Sequence, residues 1–277
     1  MGRQSLHTMS WVVSTTPTAI SFSIYSYTST SRFSSLRRLP NPNLSLNALP
    51  WHPRSRPLTF RTAALLQDAG AAAVVTAGAY GLGLTFDNLT QRKIIEQSLS
   101  RKLVHILSGL LFMVSWSIFS TSTEARYFAS LVPVVNCLRE LLRGPLYYVL
   151  ILLVCTMVFW RESPIGVISL SMMCGGDGIA DIMGRRFGSL KLPYNQQKSW
   201  AGSISMFVFG FLISIGMLHY FSALGYFQLD WFWTMEKVAL ISLVATVVES
   251  LPTTKVVDDN ISVPLASMVM AFLSFGF

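Results

Sequence analysis

Long apolar runs with few charges recur along most of this chain, and they constrain its fold more than any other feature. Eight such runs follow one another: Ala69–Phe86, Leu103–Ser120, Tyr127–Leu138, Pro145–Trp160, Pro164–Met183, Ser199–Ala223, Val238–Leu251 and Ile261–Phe277. Because a helix needs about 20 residues to cross a bilayer, the runs predict an all-α, polytopic integral membrane helical bundle with about six to eight transmembrane helices. The third run is short and the seventh is marginal, so we expect either to be tilted or re-entrant.

The composition supports the membrane class and argues against nucleic-acid binding. Hydrophobic residues make up 52% and charged residues 12% of the 277 residues, whereas an ordinary soluble domain carries about 25% charged residues. The net charge of +8 comes mainly from seven arginines that precede the first acid, Asp68, so the rest of the chain is nearly neutral. We therefore expect the lipid bilayer, and no nucleic acid, as the macromolecular partner.

The beginning of the chain has the composition of a targeting leader. Residues 1–62 are rich in Ser and Thr, contain Arg but no acid, and are interrupted by six prolines. This pattern is typical of a plastid transit peptide that is disordered and cleaved, which leaves residues 63–277 as the transmembrane domain. A mitochondrial leader and a disordered tail are the alternatives.

Basic residues between the runs are concentrated in alternate loops. The members of this set are Arg92, Lys93, Arg101 and Lys102, then Arg139 and Arg143, then Arg185, Arg186, Lys191 and Lys198. If all eight runs cross the membrane, these loops share one face, which the positive-inside rule makes the stromal face.

Cysteine and histidine usage excludes two kinds of site. Cys137, Cys155 and Cys174 lie singly in apolar surroundings, and beyond the leader the only histidines are His105 and His219. Neither a disulfide framework nor a zinc cluster is expected from this set.

The segment from Cys174 to Gly188, CGGDGIADIMGRRFG, carries the strongest chemical signal. Asp177 and Asp181 are four residues apart, so they share one helix face with Gly184, and Arg185 flanks that face. Acids at a membrane-spanning segment are functional by default. Two carboxylates beside several cations suit a divalent ion bridging phosphates, although a structural salt bridge between Asp181 and Arg185 is the alternative.

Other segments are expected on the same face. Lys198, just before a predicted helix start, is placed to meet an anion, or it extends its charge to the membrane surface. His105 lies one turn after Arg101. Its position is compatible with three roles: a base, a phosphate contact or a buried structural histidine. Glu249, Asp258, Asp259 and Asn260 flank the last loop, where they are either part of the site or simply solvated.

These motifs together resemble the polyprenol kinase family of membrane proteins, which includes dolichol kinase, and within it the plastid phytol kinase and farnesol kinase branch. The matching segments are RKLVHILSG from Arg101, FWRESPIG from Phe159, MCGGDGIADIMGR from Met173, KSWAGS from Lys198, and VESLP with DDNISVPL from Val248. The GDGIADIMG part alone is also similar to CTP-dependent lipid cytidylyltransferases.

The resemblance implies a reaction and its cofactors. It implies CTP or UTP as the phosphate donor, Mg²⁺ or another divalent metal, and a long-chain isoprenoid alcohol as acceptor. For phytol the product is phytyl phosphate, in salvage of the chlorophyll tail toward tocopherol, in an envelope or thylakoid membrane of the chloroplast. Farnesol and geranylgeraniol are alternative acceptors.

One departure from the family pattern concerns the region before Glu140. Members of the family carry a longer stromal loop there with a Ser/Thr-Arg-x-Gly step, whereas Cys137 to Glu140 here follows directly from a short run. The chain is therefore expected to be an internally shortened form, and an inactive isoform is an alternative.

The predicted site residues fall into three groups. We expect Asp177, Asp181 and His105 to be catalytic, with Asp177 and Asp181 also binding the metal. Nucleotide and phosphate contacts are expected from Arg101, Lys102, Gly176, Gly184, Arg185, Gly188, Lys198, Ser199 and Gly202. Glu140, Glu249, Asp259 and Asn260 are further site candidates.

Overall fold

A computed structural model describes residues 58–140, 146–252 and 259–276 of the protein, with side chains in 61–136, 147–252 and 259–276. The helices are α1 (Leu58–Gln91), α2 (Gln97–Ser115), α3 (Ala125–Glu140), α4 (Leu146–Val154), α5 (Pro164–Phe187), α6 (Trp200–Ala223), α7 (Trp231–Ser250) and α8 (Asp259–Phe275). A π-helical segment, Cys155–Phe159, extends α4. Each of the eight apolar runs therefore forms a helix, and the fold is an all-α polytopic membrane bundle.

The helices differ in whether they are long enough to cross a membrane. By length and apolar composition α1, α2, α5, α6 and α7 qualify, whereas the apolar stretches of α4 and α8 are shorter. The third run is indeed short, since α3 has 16 residues. The expectation of a marginal seventh run is wrong, because α7 begins at Trp231 and reaches 20 residues.

The boundary of the predicted leader falls within α1. The sequence predicts a leader that ends at residue 62, whereas α1 begins at Leu58. The other residues of the predicted leader lie outside the described part of the chain.

The central element of the bundle is α5. In the most apolar stretch of α5, 83% is buried inside the protein, whereas the corresponding stretches of the other long helices are 28–39% buried. It packs against α2, α6 and α8. Small residues permit this close approach: a Cβ added at Gly176 would lie 3.3 Å from the Cα of Gly210 on α6. A helix enclosed in this way can carry polar side chains away from lipid.

The middle of α5 departs from regular α-helix as far as Asp177, the acid of the CGGDG segment. Ser171–Asp177 is π-helical, and regular α-helix resumes at Gly178. Such segments are frequent at functional sites because they change the direction of side chains on either side. Here the π-helical segment ends at Asp177.

A short β-hairpin joins α5 to α6 and adds to the predicted all-α fold. Its strands, Lys191–Leu192 (β1) and Asn195–Ser199 (β2), are antiparallel. The side-chain amide of Asn195 donates to the backbone carbonyls of Ser250 and Leu251 at the end of α7, both at 3.1 Å. The hairpin thereby fixes Lys198 beside α7.

At the opposite end of the bundle from this hairpin, Arg161 stabilises the end of α2. Its guanidinium is 1% exposed and donates to the backbone carbonyls of Trp116 (2.8 Å), Phe119 (2.9 Å) and Ser120 (2.5 Å). The carboxylate of Asp68 accepts hydrogen bonds from the backbone N–H and hydroxyl of Ser120. This arrangement satisfies carbonyls that a helix end leaves unpaired.

Replacing Arg161 by Met is expected to destabilise the protein by about 2–3 kcal/mol, because buried carbonyls lose their donors. The yield of monodisperse protein in detergent and its unfolding temperature should both fall. Arg186→Met, which removes an exposed arginine, is the matched control and should leave both unchanged. An unfolding temperature equal to that of the control would contradict this structural role.

Candidate active site

The two aspartates of α5 share one cation from α2. Lys102 Nζ lies 3.7 Å from Asp177 Oδ2 and 3.4 Å from Asp181 Oδ2. The spacing of four residues places both carboxylates on the face of α5 that turns toward α2. Asp177 is the more enclosed of the two, with 4% of its surface exposed.

Asp181 also forms the salt bridge that the sequence suggested as an alternative to a functional role. Arg185 Nε donates to Asp181 Oδ1 at 2.9 Å, one turn further along α5. Because Arg185 is largely exposed, this pair alone adds little stability. Asp181 therefore lies between two cations, the half-buried Lys102 of α2 and the exposed Arg185.

Lys198 connects the hairpin to the acids of the last two helices. Its ammonium donates to Glu249 Oε1 on α7 and, at 2.7 Å, to Asp259 Oδ2 at the start of α8. Burial by itself would lower the pKa of Lys198, but the charge of Glu249 and the hydrogen bonds to Asp259 and Glu249 outweigh it, so the pKa is raised above its usual value. Lys198 is therefore charged at physiological pH.

Three carboxylates from three different helices meet beside Lys198. One oxygen from each of Asp177, Glu249 and Asp259 lies within 4.8 Å of the other two. Glu249 is 4% exposed, and among the described residues its Oε2 accepts no hydrogen bond. A buried carboxylate oxygen without a donor is costly unless a cation completes its surroundings, so this cluster has the ligand set of a divalent-metal site.

A polar pocket of about 300 Å³ surrounds this cluster. Most predicted site residues line it: Lys102, Asp177, Asp181, Gly184, Arg185, Lys198, Ser199, Gly202, Glu249, Asp259 and Asn260. Lys191, which the sequence places in a basic loop on the same face, lines it as well. Gln197 and Ser203 also line it, and the sequence did not predict them as site residues. Gln197 lies on the hairpin, whose pairing alone places it there, so a residue pattern gave no signal for it.

At the start of α6, next to the anion contact expected at Lys198, two backbone N–H groups are already paired within the protein. That of Trp200 donates to the carbonyl of Leu190 at 3.1 Å. The hydroxyl of Ser199 accepts the backbone N–H of Gly202 at 3.2 Å, so this side chain caps the helix. A Cβ added at Gly184 would lie 3.6 Å from Gly202 Cα, which shows how closely α5 and α6 approach. These residues line the pocket, and their small size also permits helix packing.

Two of the predicted phosphate-binding glycines lie away from the pocket. Gly176 faces α6, where an added Cβ would lie 2.9 Å from Met206 Sδ. Gly188 follows α5, where an added Cβ would lie 2.8 Å from Ser199 Cβ. Neither residue lines the polar pocket. The side chain of Glu140 lies outside the described residues.

A larger cavity of about 760 Å³ opens beside the polar pocket, among α1, α2, α3 and α4. Arg101 and His105 line this cavity and not the polar pocket. The imidazole of His105 lies against the ring of Tyr148, with centroids 3.8 Å apart. Lys102, Arg185 and Asn260 line both spaces, so the pocket and the cavity meet at these three residues.

Comparison with known proteins gives close relatives. The chain is 63% identical over 236 residues to "Probable phytol kinase 1, chloroplastic" of Glycine max, covering 76% of this chain and 78% of the relative. It is 60% identical over 241 residues to "Phytol kinase 1, chloroplastic" of Arabidopsis thaliana, covering 78% and 79%. The rice protein "Probable phytol kinase 1, chloroplastic" is 57% identical over 241 residues, covering 78% and 77%. No family model and no solved structure matches the chain.

The lengths of these matches bear on the expected internal shortening. The Arabidopsis match runs over 241 residues, whereas 78% of 277 residues is about 216. About 25 positions of the match therefore have no counterpart here, which agrees with an internally shortened form.

Identity above one half over three quarters of each chain establishes common descent. The chain belongs to the phytol kinase family.

Proposed function

We propose that this protein is a chloroplast membrane kinase that transfers the γ-phosphate of CTP, or of UTP, to phytol. The observation that carries the proposal is the junction of a polar, carboxylate- and cation-lined pocket with a larger cavity at Lys102, Arg185 and Asn260. Phosphoryl transfer to a lipid alcohol requires such a junction, because a highly charged donor must meet an apolar acceptor. The names of the relatives support phytol as acceptor and the chloroplast as location.

In the proposed reaction the hydroxyl oxygen of the alcohol forms a bond to the γ-phosphorus. The bond from that phosphorus to the β-phosphate oxygen breaks, CDP leaves, and the hydroxyl proton passes to a base. His105 is the proposed base, since it lines the cavity one turn beyond the junction residue Lys102. Lys102, Arg185 and Lys191 would hold the phosphate oxygens by charge and hydrogen bonding.

The carboxylate cluster fits the divalent metal that this reaction calls for. Asp177, Glu249 and Asp259 offer hard oxygen ligands within 4.8 Å of one another, and the buried Oε2 of Glu249 has no hydrogen-bond donor among the described residues. These residues would hold Mg²⁺, which neutralises charge on the phosphate oxygens. The sequence predicts Asp177 and Asp181 as the ligands of this metal, and this ligand pair remains a prediction.

The proposed product, phytyl phosphate, would return the chlorophyll tail to prenyl-lipid synthesis toward tocopherol. Residues 1–62 would direct the protein to the plastid and be removed there. The multi-helix bundle would lie in the envelope or the thylakoid membrane.

The test of this proposal is an assay of membranes that contain the protein, with Mg²⁺, phytol, and CTP labelled at either the α- or the γ-phosphate. We expect label from the γ-position in the lipid fraction and CDP in the aqueous one. Transfer of the α-label with release of pyrophosphate would instead identify a cytidylyltransferase. No transfer to phytol, farnesol or geranylgeraniol, at normal protein abundance, would identify an inactive form.

Replacing Asp181 by Asn should lower turnover about a hundredfold, about 3 kcal/mol of transition-state stabilisation. The neutral amide removes the charge that holds Lys102 and Arg185. Asp230→Asn is the matched control, because Asp230 caps α7 away from the site and Asn caps equally well. A modest loss of turnover together with a reduced protein level would mean that Asp181 has only a structural role, in its salt bridge with Arg185.

A further inference from the structure

The lining of the larger cavity changes from charged to apolar along its length. At one end it is lined by Arg101, Lys102 and Arg185, and further along by Val75, Phe112 and Leu152. The last three side chains are buried, each less than 5% exposed. Phe112 is eleven positions after Arg101 on α2, so the cavity extends about 16 Å along that helix.

The volume and position of the cavity suit one elongated small molecule. Its volume of about 760 Å³ lies in the range of about 300–1,000 Å³ typical of small-molecule sites. Its charged end is continuous with the polar pocket through Lys102, Arg185 and Asn260. A molecule that fills it would therefore present its polar end to the carboxylates and cations, and its apolar end to the interior of the bundle.

We propose that this cavity binds the hydrocarbon tail of the isoprenoid alcohol and that its apolar end sets the length of acceptor that is accepted. The hydroxyl lies at the level of His105 and Lys102, and the terminal isoprene unit lies at Val75, Phe112 and Leu152. This inference rests on the proposed kinase function and adds to it the place and the selectivity of acceptor binding. Burial of each methylene contributes about 0.8 kcal/mol, so a tail that fits the cavity is strongly favoured over a shorter one.

Ala79 is the position where the inference is most sharply tested. It is a small, buried residue on α1 that lines the cavity between the charged and the apolar end. Ala79→Leu would project three extra carbons into the path of the tail. Ala77→Leu makes the same change two residues earlier, at an exposed position that does not line the cavity.

We expect Ala79→Leu to raise KM for a C20 isoprenoid alcohol about tenfold while KM for the C10 alcohol geraniol and for CTP changes little, since a hydrophobic pocket discriminates by this order. Val75→Ala, which lengthens the apolar end, should shift preference toward a C25 alcohol. Ala77→Leu should behave as the unmodified protein. An active kinase in which Ala79→Leu and Ala77→Leu give the same chain-length profile would overturn the inference and leave the proposed function standing.

A binding experiment on the unmodified full chain keeps the inference testable without activity. A C20 isoprenoid alcohol carrying a diazirine at its terminal isoprene unit is irradiated with the protein in membranes without nucleotide. We expect the label around positions 75, 112 and 152, and expect unlabelled phytol to compete. Labelling there without phosphate transfer would support the cavity and refute the kinase. Labelling elsewhere, or equal labelling by a diazirine phospholipid that phytol does not displace, would overturn the inference.

Discussion

Replacing Asp177 by Asn is expected to reduce phosphate transfer about a thousandfold, about 4 kcal/mol, while the protein remains at normal abundance in the membrane. Asp177 is the one α5 aspartate that contacts both groups of the site: it faces Lys102 and belongs to the cluster with Glu249 and Asp259. The substitution keeps the shape of the side chain and removes its charge. We therefore expect a larger loss than for Asp181→Asn.

The measurement is turnover of γ-labelled CTP and phytol, normalised to protein by quantitative immunoblot, beside the control Asp230→Asn. A second readout is the Mg²⁺ concentration that gives half-maximal rate, which should rise in Asp177→Asn and not in the control. Turnover within tenfold of the unmodified protein at equal abundance would remove Asp177 from the catalytic site. The carboxylate cluster would then be a structural feature only.

Lys198→Met is expected to destabilise the folded protein by about 3–5 kcal/mol, because it leaves the buried carboxylate of Glu249 and the half-buried one of Asp259 without their cation. Lys198 donates to both Glu249 and Asp259, and Glu249 is 4% exposed. The unfolding temperature in detergent should fall clearly. Lys191→Met, an exposed lysine of the same hairpin, is the matched control for stability and should not shift it.

Two further measurements separate the charge effect from a general packing defect. Lys198→Met combined with Glu249→Gln should recover part of the lost stability, since one unpaired charge is removed with the cation. Mg²⁺ should raise the unfolding temperature of Lys198→Met more than that of the unmodified protein, because a bound cation stabilises the state that binds it. An unfolding temperature of Lys198→Met equal to that of Lys191→Met would contradict the role assigned to this lysine.

Local patterns in the sequence were sufficient to predict the helices and the helix face that carries Asp177 and Asp181. A run of apolar residues in a bilayer has few alternatives to a helix, so each of the eight runs became one. The spacing of Asp177 and Asp181 was also decisive, because residues four apart share a face of an α-helix. Both carboxylates indeed face a common cation. The sequence did not identify that cation, since Arg101 and Lys102 are neighbours and only helix packing turns Lys102 toward α5.

The composition of the carboxylate cluster was decided by tertiary structure. Glu249 and Asp259 are 72 and 82 residues beyond Asp177, and nothing in their local pattern distinguished site acids from solvated loop acids. The hairpin brings Lys198 between them, and the packing of α7 and α8 beside α5 brings both within reach of Asp177. Likewise, Gly176 shares a motif with Asp177 but faces α6, because successive residues of a helix point in different directions. Sequence spacing fixes which residues share a helix face, and only the packing of helices decides what that face meets.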